Sequence, residues 1–147
     1  MVSGFCFPWS KEIGDLDVKI GDYQRPWNLR EPIGGNPASN LWAYNEKGFG
    51  QIGCVYSAQG FEFDYIGVII GNNIVYDLNS QNWKSNKNLH KGNTIPQNRL
   101  SVMADEKYQK IVKNIYRVLL SRGMKGCYVY FMDKETEIFV KKRMKNA

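Results

Sequence analysis

Gln59, Gly60 and Glu62 stand within four positions of one another, and Arg122 follows sixty residues after Glu62. A glycine lets the main chain approach a ligand closely, a glutamine can both donate and accept, and a carboxylate can accept two ribose hydroxyls. The guanidinium offers a permanent charge on a planar fork of donors, suited to phosphate oxygens and to charge developing during phosphoryl transfer. Together these residue types suit a nucleoside phosphate. Singly they are ordinary: Gln-Gly before an aromatic is a common turn, and an Arg beyond a helix end usually faces water or offsets the helix dipole. Their order and setting distinguish them. Tyr56-Ser57-Ala58-Gln59-Gly60-Phe61-Glu62-Phe63-Asp64 and Tyr116-Arg117-Val118-Leu119-Leu120-Ser121-Arg122-Gly123 each press a few polar residues against an apolar run.

The runs themselves predict the elements that hold these groups. Gln51–Tyr56 and Tyr65–Ile70 are of strand length and lack clean alternation, which points to strands covered on both faces of a parallel sheet. Val2–Phe7 reads as a short buried strand stopped by Pro8. Between Ser101 and Leu120, Tyr108, Ile111, Val112, Ile115, Val118 and Leu119 recur at spacings of three, four and seven, the pattern of an amphipathic helix. Lys107, Lys110, Lys113 and Asn114 take its other side. Ser101 or Asp105 is expected to cap its start and Gly123 to end it. Cys127–Met132 then reads as another buried strand, and Lys134–Met144 as a closing helix with Ile138 and Phe139 inward. Strand, helix, strand, helix predicts an α/β layered fold with a mostly parallel sheet, in which ligands are expected to collect at the carboxyl ends of the strands, where loops and helix beginnings present polar atoms. Residues 9–50 and 71–100, rich in Gly, Pro, Asn and Asp, are expected to be long loop excursions, the first with a small hairpin near Val18–Ile20 and with Trp9, Trp27 and Trp42 packed down.

Composition bounds the function. The 147 residues, 43% of them hydrophobic and 14% aromatic, suffice for one domain with a real core. No apolar stretch is long enough to cross a bilayer and the opening residues have no secretory leader, so a cytoplasmic protein with no membrane partner is expected. Twenty Lys and Arg against fourteen acids give a net charge of +6, concentrated in Lys84–Lys91 and Lys141–Lys145, which suggests attraction to polyanions. Cys6, Cys54 and Cys127 lie in apolar runs without metal-ligand spacing and read as buried, reduced thiols; no metal site is expected. A nuclease finds no support, since no carboxylates cluster beside a lysine and His90 sits alone in a polar loop.

Taken together, Cys-Val-Tyr-Ser-Ala-Gln-Gly-Phe-Glu-Phe-Asp-Tyr-Ile-Gly-Val-Ile and the later Tyr-Arg-Val-Leu-Leu-Ser-Arg-Gly-Met-Lys-Gly-Cys-Tyr-Val-Tyr resemble the fifth and sixth motifs of superfamily-one DNA/RNA helicases. With Phe-Cys-Phe-Pro-Trp-Ser ahead of them, they resemble the carboxyl-terminal part of the bacterial Schlafen-type DNA/RNA helicase family, over nearly all of residues 2–145. The resemblance implies a three-layer RecA-like domain, the second of a two-domain motor, with residues 1–147 forming a single partial domain that lacks its first helix before Met1. It implies nucleotide contacts from Gln59, Gly60 and Glu62, with Glu62 toward the ribose, and an arginine finger at Arg122. Ser57 and Ala58 would touch nucleotide and nucleic-acid backbone, and Tyr116 would anchor the helix bearing the finger; Arg117 departs from the small or apolar residue usual at its place. The complete protein would use ATP with Mg²⁺ and act on DNA or RNA. No Gly-x-x-x-x-Gly-Lys-Ser/Thr loop occurs in the chain, so the partner implied is a first motor domain bearing that phosphate loop, without which the isolated chain would bind no cofactor and hydrolyse nothing. Val102-Met103-Ala104-Asp105-Glu106 superficially mimics an acidic metal-holding motif, but it runs into the helical periodicity. The alternative reading is a basic nucleic-acid-binding or regulatory module that keeps the fold without hydrolysis. A truncated domain of this kind would bare apolar sheet surface, giving a homodimer, a rearranged amino terminus or poor solubility.

Overall fold

The computed structural model describes residues 1–10, 15–92 and 95–146. Its centre is a parallel sheet of three strands, β1 (Val2–Ser3), β4 (Phe63–Ile70) and β7 (Gly123–Phe131), in the order β1-β4-β7. Val2 pairs with Val68, and Ile66 to Ile70 pair in step with Cys127 to Phe131. Two antiparallel hairpins lie outside it, β2 (Val18–Ile20) with β3 (Tyr23–Arg25) and β5 (Ile74–Asp77) with β6 (Asn82–Ser85). The helices are α1 (Val55–Ala58), α2 (Gln97–Val102), α3 (Asp105–Leu120) and α4 (Lys134–Lys145). The expected α/β class with a parallel sheet is what the chain adopts, an arrangement consistent with a RecA-like domain.

Alternation along β4 divides the core. Ile66 and Val68 face α3, where they meet Val2, Tyr108, Val112, Tyr116 and Leu119, all buried. Ile69 faces the other way, into a second cluster with Phe5, Phe7, Val18, Trp27 and Ile52. Trp27 and Trp42 are buried and Trp9 is half-buried, so the first excursion does pack down, and it carries the hairpin expected near Val18–Ile20. The second excursion holds the β5–β6 hairpin, which its polar composition concealed.

Several expected elements differ. Gln51–Tyr56 is not a strand: Ile52 bridges Trp27 and Gly53 bridges Val2, and the chain then turns into α1. The Ser57 hydroxyl takes the Cys54 N–H at 2.7 Å, which closes a helical turn where the apolar run alone suggested extension. The single helix from Ser101 is two, because Met103 and Ala104 are extended and separate α2 from α3. Asp105 does not cap α3 but stands in its first turn, favourable there for the dipole, and pairs with Lys87 at 2.8 Å. Gly123 does not end the helix: Ser121 does, with ordinary dihedrals, and Gly123 opens β7. Nor is β7 a buried strand, since it lies at the sheet edge with Tyr128 72% exposed. In α4 Phe139 packs inward, stacked on Tyr76 with ring centroids 3.5 Å apart, whereas Ile138 is exposed. On α3 Val118 is outward and Tyr116 takes the buried place.

Candidate functional site

The first rung of the β4–β7 pairing brings the two sequence segments together. The Phe63 N–H donates to the Arg122 carbonyl at 2.8 Å, so the turn carrying Gln59, Gly60 and Glu62 and the end of α3 carrying Arg122 share one rim. Both stand at the amino ends of their strands, not the carboxyl ends, because the segment before the turn is α1 and not a strand.

A bulge shapes this rim. Phe63 pairs with Gly123 and Tyr65 with Gly126, leaving Asp64 opposite both Met124 and Lys125. The loop so formed is tight: a Cβ on Gly123 would strike the Gly126 carbonyl oxygen. Asp64 and Lys125 close it with an ion pair of 2.8 Å between half-exposed side chains, too solvated to contribute much stability.

Gly60 has φ +83° and open space where a side chain would stand, so the turn exposes bare main chain. Gln59 and Glu62 flank it in solvent, and among the described residues Glu62 makes no ion pair or side-chain hydrogen bond. Arg122 is half-buried. Its Nε donates to the Val118 carbonyl at 3.2 Å and one terminal nitrogen to the Ser121 hydroxyl at 3.2 Å, holding the guanidinium against the negative end of α3. Its remaining donors are uncommitted among the described residues.

Ser57 and Ala58 sit differently. The Ser57 hydroxyl is engaged by Cys54 on both sides, and the Ala58 side chain is fully buried against the sheet, so what either can offer a ligand is chiefly main chain. Tyr116 ties the helix of Arg122 to the far end of β4, accepting from the Gly71 N–H at 3.0 Å and donating to Asn73 Oδ1 at 3.2 Å. Burial pushes its phenol well above the usual pKa, so it remains a neutral donor. Arg117 is exposed, with one weak bond to Asn114 Oδ1 at 3.4 Å.

Sequence reasoning missed an aromatic wall beside the rim. Tyr44 meets Phe61 edge-on at 4.9 Å, and Phe63 lies between Phe61 and Trp42 at 6.3 and 5.6 Å. Tyr44 comes from a Gly- and Pro-rich stretch with no periodicity, and only tertiary packing returns it to Phe61. His90 does lie in a polar loop, but its side chain is buried between Phe5 and Tyr108. No group of three His, Cys, Asp or Glu converges among the described residues.

The chain is thus a mixed α/β domain whose parallel sheet sets a polar turn and an arginine on one rim. The comparisons carry this further. The profile of the family described as Schlafen group 3, DNA/RNA helicase domain, matches residues 1–133, and the chain belongs to that family. An uncharacterised yeast protein, YPL245W of Saccharomyces cerevisiae, is 32% identical over 137 residues, which is 92% of this chain and 29% of that protein. The chain therefore spans less than a third of the curated relative it matches. No solved structure matches it. No helix among the described residues is long and apolar enough to cross a membrane.

Proposed function

We propose that this helicase-family domain is the second motor lobe of an ATP-dependent DNA/RNA helicase or nucleic-acid-stimulated NTPase, and that it completes a nucleotide site begun by another lobe. The observation that carries the reading is the Phe63–Arg122 rung, which supports a common rim for the Glu62 turn and the arginine. The residues suit the group: Gly60 offers open main chain, Glu62 a free carboxylate for ribose hydroxyls, and Arg122 uncommitted N–H donors for phosphate oxygens. ATP with Mg²⁺ would supply the phosphoryl group and the cation that offsets its charge.

In this reading Glu62 and Gln59 orient the nucleoside, and Arg122 reaches out from α3 toward charge developing on the γ-phosphoryl oxygens. The Val118 and Ser121 contacts hold the arginine ready and cost little to give up, both being in solvent. Ser57 and Ala58 border the nucleic-acid path through their main chain. A lobe with the Gly-x-x-x-x-Gly-Lys loop must close on this rim before hydrolysis, so the chain alone is inactive. The process served is cytoplasmic.

The test is steady-state ATPase in the polypeptide that joins this domain to its phosphate-loop lobe, with and without single-stranded nucleic acid. Arg122→Ala is expected to lower kcat by roughly 10³- to 10⁵-fold, as loss of such a finger does, with KM nearly unchanged. Glu62→Gln is expected to raise KM instead. An Arg122→Ala enzyme with full kcat refutes the assignment, and so does micromolar ATP binding by the isolated chain in titration calorimetry.

A further inference from the structure

α3 turns one side to solvent along most of its length. Lys107, Lys110, Asn114 and Arg117 follow one another at helical steps of three and four, and each is exposed. On the opposite side Tyr108, Val112, Tyr116 and Leu119 are buried. From Lys107 to Arg117 the stripe is roughly 15 Å long, at the helical rise of about 1.5 Å per residue. It holds cations and an amide but no acid. Glu106 stands beside its foot without an ion pair among the described residues, and Asp105, one position earlier, is already matched by Lys87 at 2.8 Å.

Other cations of the chain have structural occupations. Lys134 and Lys141 both hold Glu137, Lys84 pairs with Asp77 and Lys125 with Asp64. Lys113 is drawn aside to Gln109 Oε1 at 2.9 Å and lies 5.3 Å over the Trp83 ring. Lys142, Arg143 and Lys145 fall in the last turn of α4, where positive charge offsets the helix dipole. The stripe has no such account. Among the described residues Lys107 and Lys110 make no ion pair, and Arg117 makes only the long bond to Asn114 Oδ1. Lys107 in the first turn opposes the dipole, and Lys107 and Lys110, three apart, repel each other, so both weaken the helix they stand on. A side that only faced water would be more stable with acids at these places.

We infer that this stripe is a contact for the phosphodiester backbone of duplex nucleic acid. Lys107, Lys110 and Arg117 take phosphates of one strand, the arginine through its planar fork of donors, while the Asn114 amide steadies that fork and has N–H groups of its own to offer. The length suits this partner, since roughly 15 Å is the distance over which one duplex strand presents about four phosphates along the axis. Duplex is favoured over single strand by what the stripe lacks. Sites for unpaired strands combine cations with aromatic rings on which bases stack, and both aromatics of α3, Tyr108 and Tyr116, are buried. A contact made to phosphates alone carries no sequence preference. The inference rests on the nucleic-acid part of the proposed function and needs neither ATP nor the Glu62–Arg122 rim.

The test is fluorescence anisotropy of the chain on a labelled DNA duplex and on an oligothymidylate of equal length, over a series of salt concentrations. The triple variant Lys107→Gln, Lys110→Gln, Arg117→Gln is expected to weaken duplex binding at least tenfold at low salt, to lower the log–log salt slope by about 2–3, and to affect the oligothymidylate less. A control variant, Lys19→Gln, Lys142→Gln, Lys145→Gln, removes the same charge from other exposed places and is expected to change duplex affinity by less than about threefold. Glutamine is a good helix former, and circular dichroism verifies that both variants fold. Duplex binding indifferent to the stripe overturns the inference while leaving the nucleic-acid function standing. Equal losses in the two variants overturn it in favour of net charge alone, and a greater loss on the oligothymidylate overturns the duplex assignment. An unaltered chain that binds neither nucleic acid at low salt overturns the inference and the nucleic-acid function together.

Discussion

Gly60 holds a backbone conformation that other residues adopt only with strain, in a turn where nothing crowds the added atom. Gly60→Ala is therefore expected to cost on the order of 1 kcal/mol from the dihedral alone, with no packing defect. Urea denaturation measures it, and a neutral result would mean the turn relaxes freely. His90 gives a pH signature. Burial pulls its pKa below the ordinary 6.5, against a weaker opposing pull from the Gly92 main chain, and neither ring nitrogen has a well-formed hydrogen bond. The unfolded chain then binds the proton more readily than the folded one, so stability is full above pH 6.5 and declines as pH falls through 6.5 toward the lower folded value. The depressed carboxylates do not share this window: Asp77, held down by Lys84, and Glu137, held to about 2 by Lys134 and Lys141, lose their partners' support only in stronger acid. Unfolding free energies at pH 7.5 and 5 are expected to differ in the native chain and to converge in His90→Leu.

At the scale of elements, three joints govern whether the rim keeps its shape. The bulge opening β7 depends on Gly123, because a side chain there meets main chain that cannot swing away. Gly123→Ala is expected to destabilise by about 1–3 kcal/mol, and to blunt any arginine-dependent activity more than Gly126→Ala, whose added carbon meets the movable Tyr65 ring. Thermal melts and ATPase rates on the two variants compare them. Beyond its ring packing in the core, Tyr116 ties α3 to the segment after β4 through its hydroxyl, so Tyr116→Phe leaves the Gly71 N–H and the buried Asn73 side chain short of a partner at a cost of about 1–3 kcal/mol. Denaturant titration should register that loss with an unchanged m-value. α4 is fastened by Asp133, which accepts from the Thr136 N–H at 2.7 Å, while the Thr136 hydroxyl accepts from Tyr76 in β5 at 2.8 Å. Removing this cap with Asp133→Ala is expected to cost about 1 kcal/mol and to loosen the hairpin as well as the helix, visible as faster amide exchange in β5.

For the whole molecule, charge and shape point outward. The excess of six positive charges lies over a domain whose family handles nucleic acid, so binding of a single-stranded oligonucleotide is expected to weaken steeply with salt, with a log–log slope that counts the phosphates contacted. Fluorescence anisotropy at several salt concentrations measures the slope, and a flat profile would remove an electrostatic nucleic-acid contact. The two faces of its sheet are unequally covered. Its core is complete on the α3 side and only half built on the other, where tyrosines stand in solvent.

The residues alone were enough to specify the α/β class, the strand at Tyr65–Ile70, the long helix before Arg122 and the family, because each rests on local periodicity or on a contiguous motif. Periodicity cannot separate a buried extended segment from a buried helical turn, and in Gln51–Tyr56 it is the Ser57–Cys54 bond that turns the chain into α1. Nor could it find the β5–β6 hairpin, whose pairing is written in polar residues. The candidate rim was legible as a set of residue types, but its convergence was not. Two segments sixty positions apart meet only because β4 and β7 lie side by side in register, and that pairing, like the open edge of β7 and the burial of His90, is a long-range outcome that no local pattern encodes.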